Sequence, residues 1–329
     1  AYLSFSKKAD QLTVIVPHVA PGKNAAEVDL ELTSLLDQFF KNSRLDQWLF
    51  WYYTPMALKF TEKYNPRFVI YDCMDELSAF KFAPKELVSL EKKLLAKADL
   101  VFTGGYSLYE AKKHQHQNIF PFPSSIDKEH FGKARKEVPV PADQSCIKGV
   151  KLGFFGVIDE RFDIELIREI AEQRPEWQII LIGPVVKISA DDLPQLPNIH
   201  YLGQRSYEEL PAYLSDWNVA LIPFMLNEST RFISPTKTPE YLTAGIPVVS
   251  TPIRDVVKPY GVKHLVHIGE NSIDFIKAIE KELKIKNKNE WLAEVDTFLA
   301  DQSWDHTQAL MNNYIMNQLN GSDEISFAS

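Results

Sequence analysis

Two hydrophobic patterns alternate along this chain. Short apolar runs, the signature of strands buried on both faces, occur at residues 12–16, 47–53, 67–71 and 99–103, and again at 150–155, 177–182, 199–202, 219–223, 246–250 and 265–268. Between several of them apolar residues recur every three or four positions, which predicts helices over 28–40, 87–97 and from about Arg161 to Gln173, with two more closing the chain at 290–298 and 304–318. Strand followed by helix, repeated, is the sequence form of an α/β protein with doubly wound parallel sheets. From Pro121 to Gly149 the periodicity disappears while Pro, Ser, Asp and Lys accumulate, as expected of a crossing between domains. The expected division is 1–140 and 141–300, with 301–329 as a terminal helix that crosses back to the first domain.

Length and composition agree with two folded units. A chain of 329 residues, 45% hydrophobic and with 20 phenylalanines, has ample material for two cores. The formal net charge of −8 argues against nonspecific nucleic-acid binding. Cys73 and Cys146 lie far apart and form no C-x-x-C pair, which fits a reducing compartment. No apolar run approaches the roughly 18 residues of a membrane span, and the start AYLSFSKKAD has the wrong flanks for a signal peptide. A cytoplasmic protein is expected, with peripheral contact at the inner face of the membrane as the most that it makes.

The densest chemistry lies in ISPTKTPEYLTAGIPVVS, residues 233–250. Ser234 and Thr238 each precede a proline, so either can cap a helix with proline at its first position. Tyr241, Leu242 and Ala244 continue the helix, and Gly245 suits a left-handed stop. The helix mouth then carries amide donors, Lys237 and the hydroxyls of Ser234 and Thr236, a set suited to phosphate. A carboxylate beside phosphate needs its own partner, and for Glu240 the vicinal hydroxyls of a ribose supply one. The bland alternative is a capped helix with a surface lysine and a first-turn glutamate.

Other candidates follow predicted strand ends, where an open sheet places ligands. His18 comes after the first strand, and Asp72 and Asp75 after the third; these three are candidate bases, although a helix cap with first-turn acids also accounts for part of the acidic group. Gly156 permits close backbone approach, and Arg161, near a helix start, either clamps a diphosphate or pairs with Asp163 or Glu165.

The string SPTKTPEYLTAGIPVVSTP resembles the nucleotide-sugar segment of GT-B type glycosyltransferases, in particular the bacterial retaining enzymes of glycosyltransferase family 4, or glycosyl transferases group 1. The words FPSSIDKEHF are similar to the segment leaving the first domain of those enzymes, and the helix opening SWD to their terminal crossing helix. The resemblance implies two Rossmann-like domains facing across a cleft, with the acceptor held by the first and a UDP- or GDP-linked sugar by the second. It implies donor contacts from Gly156, Arg161, Lys237 and Glu240, and a nucleobase beside the turn that contains Arg205. Retention of anomeric configuration and a role in cell-surface polysaccharide or glycoconjugate synthesis follow from it as well. No D-x-D occurs, so no metal or other cofactor is expected.

The chain departs from the family pattern in two places. Of the two glutamates common to retaining members, Glu240 matches the second, whereas Phe232 stands where the first would be; Glu228 is the nearest acidic residue upstream. Related chains also begin with a strand and phosphate-rimming loop before the segment that matches Ala1, so a reduced or truncated first domain is expected. A nucleotide-sugar epimerase and a catalytically inactive nucleotide-sugar-binding protein remain as alternatives.

Overall fold

The computed structural model describes residues 1–285 and 287–326. The described residues divide into two compact units, one of residues 1–103, 112–120 and 315–326, the other of 104–111, 121–285 and 287–314.

In the first unit, β3 (Leu49–Tyr52), β4 (Phe68–Cys73), β5 (Leu100–Thr103) and β6 (Ile119–Pro121) form one sheet in that order, and β3–β4 and β4–β5 pair in parallel. Every residue of β4 and β5 is buried, as the continuous apolar runs require. The helix Leu87–Lys97 directs Leu87, Leu90, Leu94 and Leu95 inward. The start of the chain differs from the expected strand-helix unit. The predicted strand at 12–16 is instead half of an antiparallel hairpin, β1 (Tyr2–Ala9) with β2 (Leu12–His18), in a two-stranded sheet separate from the parallel one. Asp10 and Gln11 alone join the strands, a connection open to antiparallel neighbours but too short for a parallel crossover. The helix Ala25–Phe40 comes next, started by a capping box in which the Asn24 side chain accepts from Glu27 N and the Glu27 carboxylate accepts from Asn24 N.

The second unit is built on a six-stranded sheet. Its strands are β7 (Val150–Phe155), β8 (Trp177–Ile182), β9 (Ile199–Gly203), β10 (Val219–Ile222), β11 (Val248–Ser250) and β12 (His267–Ile268), in the spatial order β12-β11-β10-β7-β8-β9. Every pairing is parallel. Strand order runs outward from the centre in both directions, so the reversal falls between β7 and β10. Such a switch point opens a crevice at the carboxyl ends of the two strands. Against the sheet pack the helices Ile164–Gln173, Lys237–Thr243 and Ser272–Lys284; the last lay outside the expected elements, although Phe275, Ile276 and Ile279 repeat at helical spacing behind an Asn271 cap.

Three strand ends carry glycines in the left-handed region: Gly156 after β7 (φ 137°), Gly183 after β8 (φ 145°) and Gly203 ending β9 (φ 71°). A methyl group at Gly183 would overlap the carbonyl oxygen of Gly156, so the first two loops touch at their backbones. Among the described residues no helix is long and apolar enough to cross a membrane.

Candidate functional site

The side chain of Lys237 ends at the switch point. Its Nζ lies 5.6 Å from the ring centre of Phe154, 6.0 Å from Phe155 and 5.8 Å from Phe224, so two rings come from β7 and one from the loop after β10. A methyl group on Gly156 would collide with the Cε of this lysine; glycine there gives the side chain its path. Lys237 forms no ion pair or hydrogen bond among the described residues. Burial pushes its pKa down, and Arg161 adds to that push, while Glu240 and Asp159 oppose it. Glu240 complements it from the first turn of the same helix. Burial raises the Glu240 carboxyl to about 7 against the opposing pull of Lys237, and its buried Oε2 has no hydrogen-bond partner among the described residues. A cation held among aromatic faces and a carboxylate with an idle oxygen are thus neighbours, each costly to bury unless a ligand completes it.

The helix bearing both is fixed at its far end. Gly245 (φ 78°) sends its N–H to Leu242 O at 2.9 Å, and Ile246 sends its own to Tyr241 O at 3.0 Å, a Schellman stop. Arg135 adds charge-assisted bonds to Thr243 O (2.6 Å) and Leu242 O (3.2 Å) while its other edge grips Asp296 at 2.8 and 2.9 Å. The buried Tyr241 hydroxyl accepts from Phe155 N at 3.0 Å, tying the helix to the end of β7. Neither expected cap is used: the cap position falls to Thr236, without a side-chain cap bond, and Thr238 is buried in the first turn with its hydroxyl unpartnered. Thr238 cannot reach a first-turn amide from inside the helix, and Ser234 stands too early in the chain. Ser234 instead lies against Gly105, whose added Cβ would touch its Cβ at 2.8 Å, and Thr236 lies just ahead of the helix.

Arg161 is not at a helix start. Asp163 caps the helix Ile164–Gln173 by accepting from Leu166 N at 3.0 Å, which leaves Arg161 in the preceding loop. Its guanidinium grips Asp159, with Nε at 3.0 and 3.1 Å from the two carboxylate oxygens and Nη2 at 2.7 Å. Asp159 is buried; its desolvation is outweighed by these bonds, and its pKa is lowered. The pairing is therefore with Asp159 and not with Asp163 or Glu165. Arg205 is similarly engaged, donating to the Tyr213 hydroxyl at 2.6 Å and to Asp143 at 2.5 Å. Two residues on from it, Tyr207 is a candidate that sequence reasoning passed over. Its half-exposed ring stacks on His130 at 4.0 Å and 12°, and burial, Asp127 and Glu240 raise its phenol pKa. Glu228 is exposed on the loop after β10.

In the first unit Asp72 is buried at the end of β4. Burial lifts its carboxyl to about 6, against a bond from Trp51 Nε1 at 3.1 Å. Asp75 is half-buried and its carbonyl accepts from the Cys73 thiol at 3.6 Å. Glu76 starts no α-helix: it pairs at 2.7 Å with the buried Lys112, which also holds Glu91 at 2.8 Å. His18 sits on the hairpin, not at an end of the parallel sheet; it is exposed, stacked on Tyr2 at 4.5 Å, with Nε2 at 2.8 Å from Ser4 Oγ.

Residues 151–284 match the family described as Glycosyl transferases group 1. The fold is of the GT-B type. Over 295 residues it is 28% identical to the putative teichuronic acid biosynthesis glycosyltransferase TuaH of Bacillus subtilis (strain 168), covering 83% of this chain and 73% of that protein. The fold is similar to that of sucrose-phosphate synthase from Thermosynechococcus elongatus, with a TM-score of 0.68 at 15% identity over 99% of this chain and 86% of that one. It is also similar to Anabaena Alr3699/HepE, solved in complex with UDP and glucose, with a TM-score of 0.61 at 14% identity over 92% of this chain and 83% of the other.

Proposed function

We propose that the second unit of this glycosyltransferase binds a uridine diphosphate sugar at the β7–β10 switch point and delivers the sugar to a saccharide or lipid-linked acceptor bound by the first. The observation that carries this reading is the pair of unsatisfied groups on one helix turn, the Lys237 ammonium and Glu240 Oε2. A diphosphate supplies charge to the first, and a ribose hydroxyl supplies a donor to the second. As the glycosidic oxygen leaves, negative charge grows on the diphosphate, and Lys237 is already in place to stabilise it without reorganisation. The aromatic faces around the ammonium keep water from competing for it, which strengthens that interaction. Tyr207, stacked on His130 by one face and half-exposed, offers its other face for the base to stack on.

Uridine is favoured over guanosine by the likeness to a protein solved with UDP. Cell-surface polysaccharide synthesis is favoured by the TuaH relationship. Reaction at the cytoplasmic side of the membrane, independence of metal and other cofactors, and retention at the anomeric carbon belong to the same proposal. Calorimetry with UDP, GDP and uridine tests its core: UDP should bind more tightly than uridine by at least about tenfold, the value of one charge-assisted contact. Equal affinities would remove the diphosphate from the site, and tighter GDP binding would overturn the base. Activity that survives EDTA, and product anomers read by NMR, decide the finer points. Phe232 in place of a family glutamate favours one second reading, a protein that binds donor without transferring it; donor binding with no hydrolysis or transfer would establish that instead.

A further inference from the structure

In the turn that follows β9 the half-exposed ring of Tyr207 is held from one side by a buried histidine. His130, 7% exposed, stands on the short helix Lys128–Phe131 that comes out of the segment between the predicted domains. The two rings stack at 4.0 Å and 12°, and His130 Nε2 lies 2.9 Å from the carbonyl oxygen of Tyr207. A carbonyl only accepts, so the imidazole donates through Nε2. One side chain thus fastens both the ring and the main chain of the same tyrosine. Phe131 closes another side, with its ring edge-on to Tyr207 at 5.6 Å and 88° and to His130 at 5.0 Å and 85°. Asp127 steadies the short helix by accepting from His130 N at 2.8 Å, and the Glu209 carboxylate steadies the turn by accepting from Ser206 N at 2.9 Å.

The held ring belongs to the same aromatic wall as Lys237. Phe131 lies 5.6 Å from Tyr207, Phe155 lies 6.2 Å from Phe131 with its ring nearly parallel, and Lys237 Nζ lies 6.0 Å from Phe155. A half-exposed tyrosine on a turn would otherwise sample several rotamers, and a ligand that stacks on it would have to immobilise it first. In the free protein His130 has already done so. An apolar ring would fill the same space; the imidazole adds a bond to the backbone of the residue that it supports. We propose that His130 is a positioning residue for the nucleobase, which fixes the Tyr207 ring as a preformed face for uracil. The inference rests on the nucleotide-sugar reading above and goes beyond it by assigning the group that prepares the base contact.

Calorimetry on the whole chain with UDP, uridine and pyrophosphate tests this. His130→Ala should weaken UDP and uridine by the same factor, about three- to tenfold for one ring that the ligand must now order, and leave pyrophosphate affinity unchanged. Tyr207→Ala should weaken the same two ligands at least about fivefold, and His130→Ala added to it should change nothing further. His130→Phe keeps a stacked ring without the hydrogen bond and should return UDP affinity to within about twofold of wild type. Melting curves establish that the variants are folded; should His130→Ala not fold, His130→Leu, which fills the space without stacking, takes its place in the cycle. A merely structural histidine would lower pyrophosphate binding along with UDP, or act equally with and without the Tyr207 ring, and either result overturns the proposal. So does a folded His130→Ala chain that binds UDP as wild type does. Unchanged uridine affinity in Tyr207→Ala overturns it as well but leaves the diphosphate contact standing, whereas a wild-type chain that binds neither UDP nor pyrophosphate overturns the nucleotide reading itself.

Discussion

At the scale of single residues, Lys237 and Glu240 behave oppositely towards ligand and towards stability. Lys237→Ala should weaken UDP binding by roughly 1.5–3 kcal/mol and uridine binding hardly at all, because in the proposed complex only the diphosphate faces the ammonium. Equal losses for both ligands in calorimetry would take Lys237 out of the phosphate site. Glu240 destabilises the free protein by the same exposure to ligand that serves the complex. Below its ordinary pKa of 4.5 the carboxyl is neutral whether folded or unfolded; above about 7 the folded state carries a buried charge that the unfolded chain solvates freely. The raised folded pKa therefore makes stability fall as pH rises from 4.5 to about 7, and keeps it low above that. Glu240→Gln should raise the melting temperature of the free protein at pH 8 and leave it nearly unchanged near pH 4. The same variant should lose more affinity for UDP than for 2′-deoxy-UDP. A variant no more stable than wild type at pH 8 would show that the carboxylate is not desolvated.

At the scale of elements, the site depends on how strand ends are closed. Gly156 holds a φ of 137° and passes under Lys237, so Gly156→Ala meets backbone strain and a side-chain collision together. The expected result is a folded protein, destabilised by about 1–3 kcal/mol, with UDP affinity reduced as in Lys237→Ala. Retained affinity would mean that the lysine has another route to its position. Asp163→Ala removes one helix cap and should cost about 1 kcal/mol in denaturant unfolding without touching UDP affinity, since Arg161 is held by Asp159. A large affinity loss would show that the loop from Gly156 to Asp163 moves as one piece. Most of these elements were legible because a buried parallel strand must be apolar throughout. The hairpin was not: the run at 12–16 was legible as a strand, but its partner β1 is largely exposed and its apolar residues, Tyr2, Leu3 and Phe5, make no compact run. The helix Ser272–Lys284 carried a helical period and an Asn271 cap, and was legible in principle.

At the scale of the whole molecule, the two units are proposed to divide the work. Lys237, Glu240 and Gly156, the proposed nucleotide groups, belong to the second unit, and the carboxyls of Asp72 and Asp75 to the first. Asp75→Asn should therefore leave UDP affinity within about twofold of wild type and lower transfer by roughly a hundredfold, the scale of one acid or base group. Loss of UDP binding in a folded Asp75 variant, or unchanged transfer, would end that division.

By itself the sequence determined the features that local chemistry sets. Strand runs, most helices, the left-handed stop at Gly245, and the presence of a lysine and a glutamate one helical turn apart are all written in short windows, because propensity and periodicity act over a few residues. Tertiary structure decided which groups are already spoken for. Arg161 found Asp159 two residues away, and Arg205 found Asp143 from 62 residues away. Lys237 received three phenyl rings and no direct ion pair. Arg135, 107 residues before the helix end that it caps, carried no local sign of that role. Whether a charged side chain is free to take a ligand depends on desolvation and on partners brought by the fold, and neither is a property of the residues beside it in sequence.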